Sequence, residues 1–480
     1  MDVAAGETYD LLVVGGGPAG LAATAEAAAR GLAVGLVDER PTFGGQIFKQ
    51  FADGFRVVRP DALGREYRRG RALIEAAEAS GAHLLPSTGA VAIRGGEVVL
   101  VPDGGAARTV SARCVLIAPG AHDRPVVFPG WTLPGVVTAG AAQSLVKTQR
   151  VLPGERIVFA GSGPLALAFP AQLRHYGANV VLALEAGPRP GPRDVARIAA
   201  AARGNTPLLR DAALYRLELL RARVPMRYRR IVVRAEGDRR VERVVHAAVD
   251  ADWRPIAGTE EHVEADALCV GYGFVPSVEL LRLAGCDFAY DEDLGGPVVA
   301  VDEWRRTSVP GILAAGDGAG VTGSYDAVDE GRLAALGAAL DLGALGRSAA
   351  DELARPVRKR LRRKEAFRAA LRPLHAVGAG LYELADHDTV VCRCEEVTKR
   401  TLDEAIAASS DPNVAKGFTR AGMGLCQGKS CQRQVAALVA QRHGLPIAAV
   451  PPMTPRAPVR PVPLGAVADD SVEDLGLFVA

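Results

Sequence analysis

Residues 9–40 read YDLLVVGGGPAGLAATAEAAARGLAVGLVDER, and the order of their residue types decides how the chain folds. Tyr9 to Val14 is a short apolar run, the pattern of a strand buried on both faces of a parallel sheet. Gly15, Gly17 and Gly20 then supply G-x-G-x-x-G, with Pro18 and Ala19 opening an alanine-rich helix. A second apolar run, Leu32 to Val37, ends at Asp38 and Glu39. Gly15 permits the tight turn, Gly17 lets the backbone approach a pyrophosphate, and Gly20 lets helix and strand pack closely. The helix N-terminus offers unpaired N–H groups to the phosphates. Asp38, 23 residues beyond Gly15 and followed by Glu39, is placed to hydrogen-bond a ribose hydroxyl. Strand, loop, helix, strand and acid in this order predict a dinucleotide-binding βαβ unit rather than a glycine turn of another kind.

The rest of the composition bounds the class. A chain of 480 residues, 49% hydrophobic, has room for about three domains with real cores. A net charge of +2 gives no general bias toward nucleic acid or acidic membranes. The opening MDVAAGETYD lacks the charged start and apolar core of a signal peptide, and no run of about 18 apolar residues could span a bilayer. Seven cysteines, an odd number, fit a disulfide framework poorly. A soluble, cytoplasmic α/β protein is expected, with no nucleic-acid partner and no membrane span.

Residues 155–185 repeat the fingerprint as ERIVFAGSGPLALAFPAQLRHYGANVVLALE. Gly161, Gly163 and Ala166 make G-x-G-x-x-A, and Glu185 closes the following strand as the candidate ribose partner. Far downstream, TSVPGILAAGDGAG at 307–320 resembles the second FAD motif of two-dinucleotide-domain, glutathione-reductase-like flavoproteins. In that family a strand ends in Gly-Asp, here Gly316 and Asp317, and the aspartate serves the ribityl and pyrophosphate region. GGQI, with Gly45 and Gln46, and APGA, with Gly120, fit the same family. The resemblance implies FAD in the first site and an inserted second domain that binds NAD(P)H. Those reductases carry a glutamate near the nicotinamide where this chain has Ala168. Two readings follow: a working NAD(P)H site, or a domain that kept its fold, lost hydride transfer and holds at most an adenine nucleotide. The missing acid favours the second. The redox cysteine pair of disulfide reductases is absent from QIFKQFADGF, and Cys114, Cys269 and Cys286 sit in apolar contexts expected of buried structural thiols.

CRCEEVT begins at Cys392, and GLCQGKSC ends at Cys431. Cys392 and Cys394 are followed 31 residues later by Cys426 and Cys431, in a C-x-C and C-x4-C pattern. On an extended chain residues i and i+2 point the same way, so Cys392 and Cys394 could serve one centre. Cys431 opens an apolar helix, whose positive end favours a thiolate. Gly422, Gly424 and Gly428 can turn tightly and offer N–H groups to sulfur. Four such cysteines suit a [2Fe–2S] cluster; a structural zinc is the alternative, although zinc pairs usually have two to four intervening residues. The block resembles the small helical [2Fe–2S] domain of bacterioferritin-associated ferredoxin. With GGGPAGLAA, GGQIF, VVTAGAAQ and AAGDGAG, nearly the whole chain resembles the alpha (A) subunits of opine oxidases and of related hydroxyproline and proline dehydrogenases. The flavin subunit of hydrogen cyanide synthase is a cousin.

That resemblance implies an electron-transfer role within a heteromeric dehydrogenase acting on a secondary amine or amino acid. It implies a D-amino-acid-oxidase-like flavin partner (beta), an FMN at the interface of two subunits, and a small ferredoxin-like subunit. The rival is a self-sufficient NAD(P)H-dependent reductase that feeds the cluster. The expected domains are FAD-binding (8–122 and 285–345), inserted dinucleotide-binding (123–284), a basic helical linker (346–388), a [2Fe–2S] domain (389–440) and a proline-rich arm (441–480). The linker stretch DELARPVRKRLRRKEAFRAALRPL reads as a solvated helical face, and the arm as extended chain packed on another subunit.

Overall fold

The computed structural model describes residues 8–468 apart from 53, 59–62 and 64. It divides into two compact units, one of residues 1–121, 275–362 and 455–480, the other of 122–274 and 363–454.

In the first unit the strand Thr8–Val14 lies inside a seven-stranded sheet. The order is His83–Leu85, Val34–Val37, Thr8–Val14, Arg108–Ile117, Glu97–Pro102, Thr88–Arg94, with Ile312–Ala314 also paired to Arg108–Ile117. The first four strands and Ile312–Ala314 run parallel, while Glu97–Pro102 and Thr88–Arg94 return antiparallel. The apolar run is explained by burial on both faces: Leu11 and Val13 enter one core, Leu12 and Val14 another. The helix Pro18–Ala28 packs backbone to backbone against the helix Ser324–Asp341. A β-carbon on Gly331 would stand 2.0 Å from the Ala19 carbonyl oxygen, so this approach requires glycine there.

The second unit holds a five-stranded parallel sheet in the order Met226–Tyr228, Val180–Glu185, Ile157–Gly161, Ala267–Gly271, Val136–Thr138. Its strands too bury alternate residues on both faces, Val158 and Ala160 against Ile157 and Phe159. A three-stranded antiparallel sheet (Arg230–Glu236, Arg243–Ala248, Glu261–Glu264) accompanies it. The cysteine block belongs to this unit. It comprises a two-stranded ribbon, Val390–Cys392 and Val397–Thr398, and the helices Lys399–Ile406, Pro412–Thr419 and Gln432–His443. Its core includes Val391, Leu402, Val435 and Leu438, continued by Val127 of the same unit.

The basic stretch forms one helix, Arg347–His375. Its first part carries a solvated face, yet Arg360 also reaches the buried Asp329 at 2.6 Å. Within the chain the arm lies along strands of its own first unit. Val459 N donates to Val91 O at 2.9 Å, Ala107 N donates to Ala466 O at 2.6 Å, and Arg460 pairs with Glu39. Proline-rich chain has free carbonyls and apolar rings, and here the strands of its own first unit supply their partners. Residues 469–480 of the arm lie outside the described residues.

Candidate nucleotide sites and cysteine centre

The first glycine loop is built as a phosphate cradle. Gly15 has φ +109°, and a β-carbon there would stand 2.2 Å from the Ala118 carbonyl oxygen. Gly20 abuts the loop's own backbone, with its missing β-carbon 1.8 Å from the Gly15 oxygen. Gly17 caps the helix Pro18–Ala28 without any side-chain acceptor, so the first N–H groups are left for a ligand. In front of Gly17 the nearest neighbour is another glycine, Gly45, whose α-carbon lies 3.9 Å from where a β-carbon would be. Gly45 and Gly120 both have positive φ, +62° and +73°. Gln46 accepts from Lys49 Nζ at 2.5 Å.

Asp38 is turned into the loop. Its carboxylate accepts from Gly16 N at 2.6 Å and Arg40 N at 2.8 Å, and burial raises its pKa from the ordinary carboxylate value. Asp38 thus braces the turn, and Glu39 is the more exposed of the two acids. At the other motif, Gly316 N donates to the buried Glu330 at 2.8 Å, and Glu330 pairs with Arg305 at 2.9 Å. Asp317 accepts from Thr322 N and Gly323 N at 3.0 and 2.8 Å. A glycine cradle with an uncapped helix start and a backbone-braced Gly-Asp turn fits a dinucleotide such as FAD.

The second loop keeps the turn and has the end of a long helix beside it. Gly163 has φ +80° and caps the helix Pro164–His175. A β-carbon on it would lie 3.6 Å from the imidazole of His375, the last residue of the helix Arg347–His375. A β-carbon on Gly187 would stand 2.2 Å from the Leu374 carbonyl oxygen. Glu185 is buried, accepts from Gly163 N at 3.2 Å and Gly187 N at 2.8 Å, and is pushed up to about 7 by burial. Burial also lowers His375 to about 4, so it is neutral near pH 7.

The four cysteines are brought together from three segments. Cys392 ends a strand and is buried, while Cys394 sits exposed in the following turn, where Glu396 has φ +54°. The extended i, i+2 geometry expected for this pair is therefore broken by the turn. The thiols meet across segments instead: Cys431 hydrogen-bonds Cys392, and Cys426 hydrogen-bonds Cys394. Cys392 is pulled down to about 6, first by Cys431 and then by the N–H groups of Gly422, Glu395 and Cys394. Cys431 caps the helix Gln432–His443, but its thiol is raised, because it hydrogen-bonds Cys392 and is buried. The low thiol is thus Cys392 rather than the helix-cap residue. Among the described residues no three His, Cys, Asp or Glu side chains converge tightly enough for a single ion. Two thiol pairs with backbone N–H donors to sulfur are a donor set that fits a two-iron cluster. Cys114 and Cys269 are buried thiols pushed up to about 11 and 12 by burial, and Cys286 is raised for the same reason.

Sequence reasoning missed what holds the module in place. Tyr382 receives Arg124 and Arg433 on its hydroxyl and Gln434 on its carbonyl, at 3.1 Å for Arg433 Nε and 2.8 Å for Gln434 Nε2. Trp131 Nε1 donates to Val390 O at 2.6 Å. None of these residues stands in a motif. The one signal in the sequence was Arg433 and Gln434 at helix positions that face inward.

These sites define a two-nucleotide-fold oxidoreductase. Residues 9–335 match the Pyridine nucleotide-disulphide oxidoreductase family, and residues 387–471 match the Sarcosine oxidase A3 domain. The chain is 35% identical to the A-subunit of opine oxidase from Rhizobium meliloti, over 96% of its own length and 88% of that protein. It is 32% identical to hydrogen cyanide synthase subunit HcnB of Pseudomonas protegens, covering 95% of this chain and 96% of the relative. In structure it resembles L-proline dehydrogenase from P. horikoshii, with a TM-score of 0.70 at 21% identity over 98% of this chain and 81% of the other. The chain belongs to the pyridine nucleotide-disulphide oxidoreductase family, among the relatives of the opine oxidase A-subunit. Membership implies FAD as cofactor. No helix among the described residues is long and apolar enough to cross a membrane.

Proposed function

We propose that this chain is the FAD-bearing, electron-transferring member of a heteromeric dehydrogenase that oxidises a secondary amine or amino acid of the opine, hydroxyproline or proline type. FAD would rest on Gly15, Gly17, Gly20, Gly45, Gly120 and the Gly316–Asp317 turn, and a [2Fe–2S] cluster on Cys392, Cys394, Cys426 and Cys431. Bound there, FAD accepts electrons in pairs and the cluster carries them singly. The observation that carries this reading is the convergence of four thiols in a chain that also holds a glycine dinucleotide cradle. Zinc-ligand pairs usually have two to four intervening residues, and the C-x-C of Cys392 and Cys394 has one. The exposed Cys394 and half-buried Cys426 would give the cluster a solvent-facing edge, next to the exposed Leu425. The relatives are named as subunits, which supports a partner chain. Our reading makes that partner a flavin subunit of the D-amino-acid-oxidase type that would oxidise the C–N bond, with an FMN where the two chains would meet and a small ferredoxin-like chain beside them.

The test is the metal and its dependence on one thiol. Anaerobically purified protein is expected to hold about two irons per chain and little zinc, with a mixed-valence paramagnetic signal on reduction. Cys431→Ala should abolish the signal while FAD stays bound. Stoichiometric zinc without iron would end the electron-transfer reading. Rapid anaerobic flavin bleaching by NADH or NADPH would favour a self-sufficient reductase instead.

A further inference from the structure

The glycine loop of the second dinucleotide fold packs against the end of a helix, with Leu374 O against Gly187 and the His375 ring beside Gly163. We infer that this fold is closed by its own chain: the last turn of the helix Arg347–His375 sits where a pyrophosphate would lie, so the domain takes no nucleotide and serves as the seat of the cysteine module. Three observations carry this. The middle glycine of the fingerprint is where a dinucleotide comes closest to the backbone, and at Gly163 that space faces the His375 ring. At the ribose end, Leu374 O lies against Gly187. The carbonyl end of a 29-residue helix is its negative end, and it faces a place meant for phosphates.

The closing turn is also anchored. Arg197 Nε donates to Ala370 O at 2.8 Å, and the buried Asn205 donates to Arg363 O at 3.3 Å. Beyond His375, Gly380 N donates to Asp252 O at 2.9 Å, and a β-carbon on Gly378 would stand 2.3 Å from the same oxygen. Tyr382 then ties the chain to Arg124, Arg433 and Gln434. A nucleotide would have to displace a segment that is hydrogen-bonded through Tyr382 to Arg433 and Gln434, in the first turn of the helix that Cys431 caps. The closure does not depend on which group the cysteines hold.

Hydrogen–deuterium exchange on the purified, flavin-loaded full chain tests it, with NADH, NADPH or ADP at about 1 mM, a level that registers millimolar or tighter binding. The expected result is unchanged protection over residues 161–187 and 370–382. Saturable protection of 161–187 by any of the three would overturn the inference. Leu374→Gly combined with His375→Gly, and separately His375→Ala, should admit ADP with at least about a tenfold gain in affinity over wild type. Melting curves and retained flavin check that the variants fold. A folded variant that still gains no binding would also overturn the inference, because the turn would not be what closes the site. Protein isolated without flavin keeps the outcome distinct: protection over residues 15–39 then reports the first site, and 161–187 alone reports the closure.

Discussion

Gly17 and Gly163 hold the same place in two copies of one fingerprint, yet Gly17 faces a bare glycine and Gly163 an imidazole ring. Their backbones differ as well. Gly17 has φ −79°, which any residue can adopt, while Gly163 has φ +80°, which favours glycine. In both loops the acid at the end of the second strand turns back onto the loop's own N–H groups, Asp38 onto Gly16 and Glu185 onto Gly163. A glycine fingerprint therefore specifies a turn and a close helix–strand packing. Whether a ligand can use that turn depends on what the rest of the chain puts in front of it.

Parallel valine substitutions are the sharpest way to break the comparison. Gly17→Val meets no backbone strain, so the chain should fold with a near-native melting temperature and lose FAD altogether, as read from flavin absorbance after gel filtration. Full FAD content in that variant would refute the first-site assignment. Gly163→Val should keep FAD and instead lose about 1–3 kcal/mol of stability from the forced positive φ. Equal flavin loss in both would mean that the two loops do not differ as described.

The buried Glu185 gives the second loop a pH signature. The folded chain holds its proton up to about pH 7, whereas an unfolded glutamate releases it near 4.5. Its contribution is fully present below pH 4.5 and is lost as pH rises toward 7. His375 and His246, both lowered to about 4, act in the opposite direction, with stability rising between pH 4 and 6.5. Both histidines are common to the wild type and a Glu185→Gln variant, so the difference between the two melting profiles isolates the glutamate. The variant should gain on the wild type between pH 4.5 and 7, by up to about 3 kcal/mol, and level off above. A flat difference would mean that Glu185 ionises freely.

A partial loss of flavin affinity, against the complete loss in Gly17→Val, is expected at the first site's second motif. Asp317→Ala removes the acceptor for Thr322 N and Gly323 N and should loosen FAD by about 1.5–3 kcal/mol, measured as a rise in the flavin dissociation constant. No change would leave the open loop dependent on its glycines alone.

The readable parts of this chain were those whose meaning is local. Alternating burial made the strands Thr8–Val14 and Ile157–Gly161 legible as apolar runs, and positive φ made Gly15 and Gly163 legible as glycines. The cysteines were legible as a group by type and spacing, but their partners were not. An extended C-x-C was expected; the chain turns there instead, with Cys394 N–H on the Cys392 sulfur and each thiol bonded to a cysteine of the later stretch.

By itself, the order of residues determined two nucleotide-type turns, a four-cysteine set and the absence of a nicotinamide-side acid at Ala168. Only the tertiary structure decided which turn stays open, which thiols pair, and that the arm lies along Val91 and Ala107 of its own chain. The physical reason is range. Dihedral preference and hydrophobic alternation act between neighbours, whereas occupancy of a crevice depends on segments such as Leu374–His375 that lie about two hundred residues away in sequence and meet the loop only when the core has formed.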